Sequence, residues 1–263
     1  MQELATRSFE EKVDFYNHLY LGKNTQIVAK DFYPNNLEEA YKIQAYILKE
    51  SGKDFQHFKL GGTNIKTQKK FNVSRSYFGL IQAHESLQVT ESGQVIHLGD
   101  AETLSAELEI IFKLSKDITP RDDVTIDNLD QFISHYSVGL EFPTNFITNL
   151  TEVGVNGLVA ENCAAGFLVY GDFYDFISND FDQAQDFSFR VGANNITEGS
   201  TENLIGGAKG AMLDFVLLMQ EMGLEISESS LISTGGMTNC VPIERKSVIS
   251  VEDGVKSFSF FIA

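Results

Sequence analysis

The sequence predicts an α+β protein whose mixed β-sheet is rolled or closed, with a helical N-terminal part and flanking helices. Apolar residues recur every three to four positions near the N-terminus, whereas strand patterns dominate the second half with single helices between them. Regular alternation of strands and helices, which would indicate a parallel doubly wound sheet, is not observed. Because no Pro/Gly/Ser-rich linker divides the chain, we expect one domain over 1–263, with the helical part at 1–52 and the sheet core at 53–263.

Two helices are predicted to open the chain, at 7–20 and 36–51, because both segments show the apolar spacing of an amphipathic helix. Asn35 or Asn36 is the expected N-cap of the second helix. The pattern then changes to shorter runs. The elements predicted over this part are a strand at 55–62, a brief helix at 64–71, strands at 94–98 and 106–114, and a helix at 126–136.

Strands are predicted for most of the second half, around one long helix. That helix spans 201–223 and is expected to be closed by Gly223 at its C′ position. The hairpin at 186–200 should have Asn194 and Asn195 at its bend. The other predicted strands lie at 138–142, on both sides of a Gly/Ala-rich turn within 157–171, in 231–238, and in 247–263, where Asp253-Gly254 joins the last two.

The composition is that of a folded, acidic protein, with 20 Lys and Arg against 37 Asp and Glu and a formal charge of −17. Such a surface repels phosphate backbones, so we expect no nucleic-acid partner. If the substrate is an anion, lysines or a metal must supply local positive charge. The acidic first residues do not resemble a signal peptide, and we expect no membrane partner. Cys163 and Cys240 have no C-x-x-C neighbour, so we expect buried, reduced thiols in a cytoplasmic protein.

Three glutamates are candidate metal ligands. Glu107 and Glu109 lie two residues apart in a predicted strand, so both carboxylates project from one face. Carboxylates this close repel each other, and a hard divalent cation such as Mg²⁺ or Mn²⁺ would neutralise them. Glu141 occupies an apolar, strand-like run and would add a third oxygen ligand. The alternative is a solvated strand face for the first two and an exposed sheet edge for Glu141.

Lys59 ends a predicted strand and precedes Leu60-Gly61-Gly62-Thr63, where glycines allow a ligand close to the backbone. It is a candidate substrate clamp or base; the alternative is an exposed structural lysine. The segment Ser233-Thr234-Gly235-Gly236 either cradles an anion with its amides or is an ordinary loop. The histidines do not have metal-ligand spacing, and G-x-S-x-G, Walker and G-x-G-x-x-G motifs are missing, so serine hydrolysis and nucleotide chemistry are not supported.

An ordered set of segments over roughly 36–240 resembles the 2-keto-4-pentenoate hydratase group of the fumarylacetoacetate hydrolase superfamily. That group includes 2-oxohept-3-ene-1,7-dioate hydratase and the related 4-oxalocrotonate decarboxylase. The matching segments are FKLGGTNIKTQKKFNV (58–73), YFGLI (77–81), AELEIIFKL (106–114), VGLEFP (138–143), VAENCAAGFLVYG (159–171) and LISTGGMT (231–238).

The resemblance implies a β-roll with flanking helices, a homo-oligomer, and a site binding Mg²⁺ or Mn²⁺. It assigns the metal ligands, which we expect to converge on one point, to Glu107, Glu109 and Glu141. It implies catalytic roles for Lys59, Tyr77 and Glu161, and substrate contacts from Gly61, Thr63 and Thr234.

The reaction implied is addition of water to an unsaturated 2-oxo acid such as 2-hydroxypenta-2,4-dienoate, giving a 4-hydroxy-2-oxo acid. Two alternatives stay open. One is metal-dependent decarboxylation of a 2-oxo diacid, which uses the same chelate as an electron sink. The other is a protein that binds 2-oxo acids without turning them over.

The chain departs from the family pattern at three places. Tyr77-Phe78-Gly79 stands for Asp-Phe-Gly, Glu161-Asn162 for Asp-Asn, and Lys246-Ser247 for Gly-Asp. Losing the aspartate beside Lys59 should lower the lysine's pKa, so that the neutral amine acts as a base with help from the Tyr77 phenol. The alternative is that Tyr77 fills space and that Glu161 or another acid reaches the lysine.

Overall fold

A computed structural model of the protein describes residues 6–23, 25–99, 104–193 and 195–263. Within these ranges the chain forms an α+β fold with a mixed sheet, as predicted. The helices are α1 (Phe9–Gly22), α2 (Leu37–Glu50), α3 (Ile65–Phe71), α4 (Leu150–Ala160) and α5 (Gly207–Glu221). None of the described helices is long and apolar enough to cross a membrane.

The strands form a larger and a smaller sheet. In chain order they are β1 (Phe55–Gly61), β2 (Tyr77–Gln82), β3 (Ser86–Gln88), β4 (Gln94–Ile96), β5 (Leu104–Leu114), β6 (Ile133–Phe142), β7 (Phe167–Tyr170), β8 (Tyr174–Asp175), β9 (Asp186–Val191), β10 (Asn195–Ser200), β11 (Leu231–Ser233), β12 (Val241–Ile243), β13 (Val248–Glu252) and β14 (Ser257–Ile262). The larger sheet has the order β2-β1-β11-β5-β6-β7-β3, with β12 beside β5 and β8 beside β6. The smaller sheet has the order β10-β9-β13-β14-β4.

The N-terminal helices begin where capping chemistry predicts. Ser8 and Glu11 form a reciprocal capping box at the start of α1, and Asn36 accepts a hydrogen bond from the Glu39 amide at the start of α2. Asn36 rather than Asn35 is therefore the N-cap. The buried ammonium of Lys12 on α1 lies 3.1 Å from the Glu39 carboxylate and ties the two helices together.

Strand register brings the predicted site residues onto one face of the larger sheet. Lys59 is paired with Gly79 on β2 and with Ser233 on β11. On β5 and β6, Glu107 is paired with Glu141. Because paired residues share a face and alternate residues along a strand do too, this face carries the lysine and all three glutamates. The same face continues into a small apolar cluster made of Ile81, Ile111, Leu168, Tyr170 and Leu231.

Two secondary-structure predictions are wrong. The segment 126–136 is not a helix: a 3₁₀ turn at Leu129–Gln131 leads directly into β6, whose β-branched and aromatic residues pair with β5. The segment 157–160 is not a strand but the last turn of α4, since a short apolar run fits a buried helix as well as a strand. The remaining strand of that region, β7, is confirmed.

The C-terminal half otherwise follows the predictions closely. β9 and β10 form the predicted hairpin; Asn195 is the first residue of β10, and Asn194 lies outside the described residues. The long helix begins only at Gly207, after a 3₁₀ turn at Thr201–Asn203, but Gly223 with φ 71° follows its end as predicted. β13 and β14 pair across the Asp253-Gly254 turn.

Gly79 is a position where packing excludes any side chain. A Cβ built there would lie 2.4 Å from the backbone oxygen of Asn162, although the backbone itself is not left-handed. We therefore expect Gly79→Ala to destabilise the fold by about 3 kcal/mol through overpacking alone. Urea unfolding would measure this free energy. Gly93→Ala is the control, since Gly93 has φ +81° but open space, and should cost about 1 kcal/mol. Equal costs for the two variants would contradict the packing explanation.

Candidate active site

Lys59 is buried and its ammonium has two partners. The Nζ atom donates a hydrogen bond to the backbone oxygen of Cys163 at 3.0 Å and lies 3.5 Å from Oε1 of Glu141. The alternative of an exposed structural lysine is therefore wrong, because only 9% of the residue is accessible to solvent. Another acid, Glu141, reaches the lysine in place of the family aspartate.

Glu109 is buried and held by the loop that follows β11. Its Oε2 atom accepts hydrogen bonds from Ser233 Oγ at 2.5 Å and from the Gly235 amide at 3.0 Å. Gly235 has φ +86°, a conformation that glycine adopts without strain. The loop predicted to cradle an anion thus cradles the protein's own carboxylate. Thr234 binds the edge of β5 instead, where its hydroxyl accepts from the Ile110 amide.

Glu141 and Glu107 complete the acidic cluster. Glu141 is 1% exposed, and its Oε1 atom has no hydrogen-bond partner among the described residues. Glu107 is partly exposed and interacts with the Cys240 thiol. A Cβ on Gly236 would lie 2.1 Å from Glu107 Oε2, so this glycine is needed to make room for the carboxylate. Cys163 is buried as predicted, whereas Cys240 is exposed and does not match that prediction.

The charges on this face do not balance. Burial raises the pKa of Glu107, Glu109 and Glu141, and the neighbouring carboxylates raise that of Glu109 further. Burial alone would lower the pKa of Lys59, but the charges of the three glutamates outweigh it and raise that pKa. The predicted lowering of the lysine pKa is therefore wrong, because the acidic cluster supplies the anionic partner that Tyr77 does not. The Lys59 ammonium acts on all three carboxylates, and Lys70 also acts on Glu107.

The three carboxylates share a face but do not converge as predicted. Among the described residues, no group of three or more His, Cys, Asp or Glu side chains is arranged so that it could hold a metal ion. Glu109 points to Ser233 and Gly235, and Glu141 points to Lys59. The donor set nevertheless fits a hard divalent cation, since it offers carboxylate oxygens, and Oε1 of Glu141 has an ion pair with Lys59 at 3.5 Å but no hydrogen bond among the described residues. Side-chain rotation would have to bring the oxygens together.

Glu161 lies in a tight turn after α4 that faces Lys59. The turn has three consecutive left-handed residues, Asn162, Cys163 and Ala164. The side-chain amide of Asn162 accepts a hydrogen bond from the Leu80 N–H on β2 and donates one to the Leu80 carbonyl. The backbone carbonyl of Cys163 accepts the hydrogen bond from Lys59. Burial raises the pKa of Glu161 to about 8, although its carboxylate accepts a hydrogen bond from the Phe146 amide. Glu161 therefore retains its proton near neutral pH.

Tyr77 covers the glycines next to Lys59. A Cβ on Gly61 would lie 2.3 Å from the Tyr77 ring, and one on Gly62 would lie 3.0 Å from it. The ring also packs edge-on against Phe71. Thr63 is buried against Gly235 instead, and its hydroxyl has no hydrogen-bond partner among the described residues. Tyr77 thus fills space above the strand, and Gly61 is not open to a ligand while the ring stays there.

Several residues of this site were not predicted. Ser233, Gly235 and Gly236 position the glutamates, and the carbonyl of Cys163 positions the lysine. The sequence indicated the Ser233–Gly236 segment only as a possible anion-binding loop, and in the structure the anion that it binds is the Glu109 carboxylate. Nothing in the sequence around Cys163 indicated a backbone contact to a strand more than a hundred residues earlier.

A separate groove lies elsewhere on the described part of the chain. Its volume is about 710 Å³, and it is lined by β9, β10, β13 and β14. Gly199 of β10 packs against Leu108, which alternates with Glu107 and Glu109 and so faces the other side of β5. The groove therefore lies across the sheet from the carboxylates, and it is not part of this site.

Comparison with protein-family models and with curated sequences finds no match. Solved structures do match. The 4-oxalocrotonate decarboxylase from Pseudomonas putida G7, complexed with magnesium and adipate, is 17% identical, with a TM-score of 0.86 over 98% of this chain and 100% of that one. Fumarylpyruvate hydrolase from Pseudomonas aeruginosa, in complex with Mn²⁺ and pyruvate, is 13% identical, with a TM-score of 0.62 over 80% and 90%.

A third match is 5-carboxymethyl-2-hydroxymuconate delta-isomerase from Mycobacterium smegmatis, 14% identical, with a TM-score of 0.55 over 79% of this chain and 76% of that one. The structural similarity establishes a shared fold, and at identities this low it establishes the fold alone. The fold expected from the resemblance to the fumarylacetoacetate hydrolase superfamily is therefore confirmed.

The raised pKa of Glu161 predicts a pH-dependent stability. Folding raises this pKa from 4.5 to about 8, so the protonated acid favours the folded state below pH 4.5, and this contribution is lost as pH rises through 8. Glu161→Gln cannot ionise and should become more stable than the parent between about pH 5 and 9, by about 1.4 kcal/mol per pKa unit at most.

Urea unfolding of both proteins across this pH range would measure the difference. Glu152→Gln, an exposed change on α4, controls for the loss of one charge. Parallel stability curves for the parent and Glu161→Gln would show that Glu161 titrates normally.

Proposed function

We propose that this protein is a divalent-metal-dependent enzyme that acts on a small 2-oxo acid, with hydration as the leading reaction. The observation that carries the proposal is the single sheet face that holds Lys59, its ion-pair partner Glu141, and Glu107 and Glu109. The fold supports it, because the solved structures with that fold include enzymes complexed with magnesium and adipate or with Mn²⁺ and pyruvate.

The charge imbalance supports a bound cation. Glu109 and Glu141 are buried and Glu107 is partly buried, and the raised pKa of each shows that its charged form is unfavourable there, a cost that a dication would offset. Glu107, Glu109 and Glu141 would hold this ion, with Mg²⁺ or Mn²⁺ suiting the oxygen donors. When bound, such an ion attracts the carboxylate and 2-oxo oxygens of a substrate and stabilises negative charge on the 2-oxo oxygen.

Lys59 is a hydrogen-bond donor in this proposal rather than a base. Its ammonium is held by the carbonyl of Cys163 and stabilised by Glu141, so it keeps its proton and stabilises negative charge on a bound acid. Glu161 supplies the titratable proton, since its pKa of about 8 leaves it protonated near neutral pH yet able to give that proton up.

The substrate contacts implied by the family resemblance differ in how well the structure supports them. The unpartnered hydroxyl of Thr63 is the best supported of the predicted contacts. Gly61 would become available only with movement of the Tyr77 ring, and Thr234 would act through the loop that holds Glu109. A homo-oligomer in the cytoplasm completes the proposal, as the family resemblance and the reduced cysteines predict.

Decarboxylation of a 2-oxo diacid is the second candidate. It needs the same stabilisation of charge on the 2-oxo oxygen but no water placed at the distal carbon. The match to 4-oxalocrotonate decarboxylase along almost the whole chain favours it. Tyr77 favours it too, because the carboxylate expected for hydration is not at that position.

Turnover assays separate these reactions. The purified protein with Mg²⁺ or Mn²⁺ would be incubated with 2-hydroxypenta-2,4-dienoate and, separately, with an unsaturated 2-oxo diacid. A new 4-hydroxy-2-oxo acid supports hydration, and released CO₂ supports decarboxylation. Stabilisation by the acid without turnover would mean that the protein only binds it, and no response to any of these acids would overturn the proposal.

The metal assignment predicts the behaviour of Glu109→Gln. This change preserves the acceptor for Ser233 and Gly235 but removes one negative charge, so metal-dependent turnover should be lost and metal-free thermal stability should rise. Calorimetric titration with Mg²⁺ and thermal denaturation would measure both. Glu198→Gln, an exposed change on β10, is the matched control. Normal Mg²⁺ affinity and turnover in Glu109→Gln would contradict the ligand assignment.

The packing of Tyr77 predicts a mild effect of Tyr77→Phe. Because the ring covers Gly61 and Gly62 and the phenol is not the anionic partner of Lys59, turnover should stay within a few-fold and the pH–rate profile should not change. Kinetics of the parent and the variant across pH would test this. A loss of about 10²-fold would instead place the phenol in proton transfer.

A further inference from the structure

Two buried polar atoms near the active site share a feature that the proposed reaction does not explain. The hydroxyl of Tyr16 on α1 and the Oε1 atom of Glu161 both have no hydrogen-bond partner among the described residues. Tyr16 is 0% exposed and Glu161 is 1% exposed. Leaving a buried polar atom unpaired is unfavourable, so two such atoms in one region point to a shared partner.

The helices place these two atoms on the same side of α4. Tyr16 Oη lies 3.2 Å from the position that a Cβ on Gly157 would occupy. Gly157 is one turn before Glu161, whose amide donates to the Gly157 carbonyl at 3.1 Å. Residues four apart share a helix face, and helical side chains lean towards the N-terminus. The Glu161 carboxyl therefore leans over Gly157, where the Tyr16 hydroxyl lies.

The orientation of the carboxyl is set from its other side. Glu161 Oε2 accepts a hydrogen bond from the Phe146 amide at 3.1 Å, and the Ala164 amide also stabilises the carboxylate. Oε1 is therefore the carboxyl oxygen without a hydrogen bond among the described residues. The hydroxyl and Oε1 do not bond directly, and a water needs two or more polar partners to be held inside a protein.

The surroundings agree with a neutral hydroxyl that faces a carboxyl. Burial and then the charge of Glu161 raise the pKa of Tyr16, so the phenol stays protonated and can donate. One turn later on α1, Tyr20 interacts with the Asn162 side chain, so α1 follows the turn that carries Glu161. The other titratable groups that act on this pair are Lys59, Tyr33, Glu39, Tyr20 and Cys163.

We propose that Tyr16 is a positioning residue for Glu161, and that one internal water joins the Tyr16 hydroxyl to Oε1 of the carboxyl. Through this water the N-terminal helix orients the acid that faces Lys59. The inference deepens the proposed function, because the role of Glu161 as a proton donor rests on it, but the water site itself does not require any reaction.

A carboxyl titration tests the pairing without substrate. The ¹³C-carboxyl signal of Glu161, identified by its loss in Glu161→Gln, would be followed across pH in glutamate-labelled protein. Tyr16→Phe removes only the hydroxyl, and with it a donor that favours the ionised acid, so the apparent pKa of Glu161 should rise by about half a unit or more. Tyr174→Phe, which removes a hydroxyl bonded to Asp253 in the other sheet, should leave it unchanged.

A crystal structure of the parent protein gives a second test that does not depend on how the variant folds. The expected result is a water within hydrogen-bond distance of both Tyr16 Oη and Glu161 Oε1. An unchanged Glu161 pKa in Tyr16→Phe, or a parent structure without this water, would overturn the inference. A protein that holds the water but turns over no 2-oxo acid would instead overturn the proposed function alone.

Discussion

The site depends on one constraint: a single sheet face carries three carboxylates, two of them buried and one partly buried. Burial disfavours the charged form of each carboxylate, neighbouring carboxylates add to this for Glu109 and Glu141, and the Lys59 ammonium opposes it for all three. The structure offsets part of this cost with directed contacts. Ser233 and Gly235 hold Glu109, whereas Glu141 faces Lys59 and keeps one oxygen without a hydrogen bond. That oxygen, Oε1, has only the ion pair with Lys59 at 3.5 Å among the described residues, so a cation here would supply a ligand bond that the protein does not.

The contacts that hold the lysine come from the opposite side of the site. Lys59 lies on β1 next to the edge strand β2, and a tight turn after α4 lies across both strands. The turn bonds the edge strand through Asn162 and the lysine through Cys163, and Gly79 leaves space for it. A strained turn of three left-handed residues persists because these contacts determine its conformation. The lysine and Glu161 are therefore positioned by the same segment.

Local patterns predicted much of the fold, and failed where a short apolar segment suits two structures. The capping residues of α1 and α2, the hairpin of β9 and β10, and Gly223 after α5 follow from local chemistry. Residues 126–136 have helical spacing but enter β6, because pairing with β5 satisfies their backbone groups. The strands β3, β8 and β12 were not predicted, because segments of two or three residues carry little periodicity.

The sequence by itself singled out the residues that we propose for the site. The two-residue spacing of Glu107 and Glu109 places both on one strand face, and the glycines after Lys59 let other groups come close to its strand. Only the tertiary structure decided which contacts each residue makes and which charge it carries. Strand pairing put Glu141 opposite Glu107, and that cluster made Lys59 a charged donor rather than a neutral base. The pKa of a buried group depends on burial and on charges brought together from distant segments, and neither is encoded in its sequence neighbours.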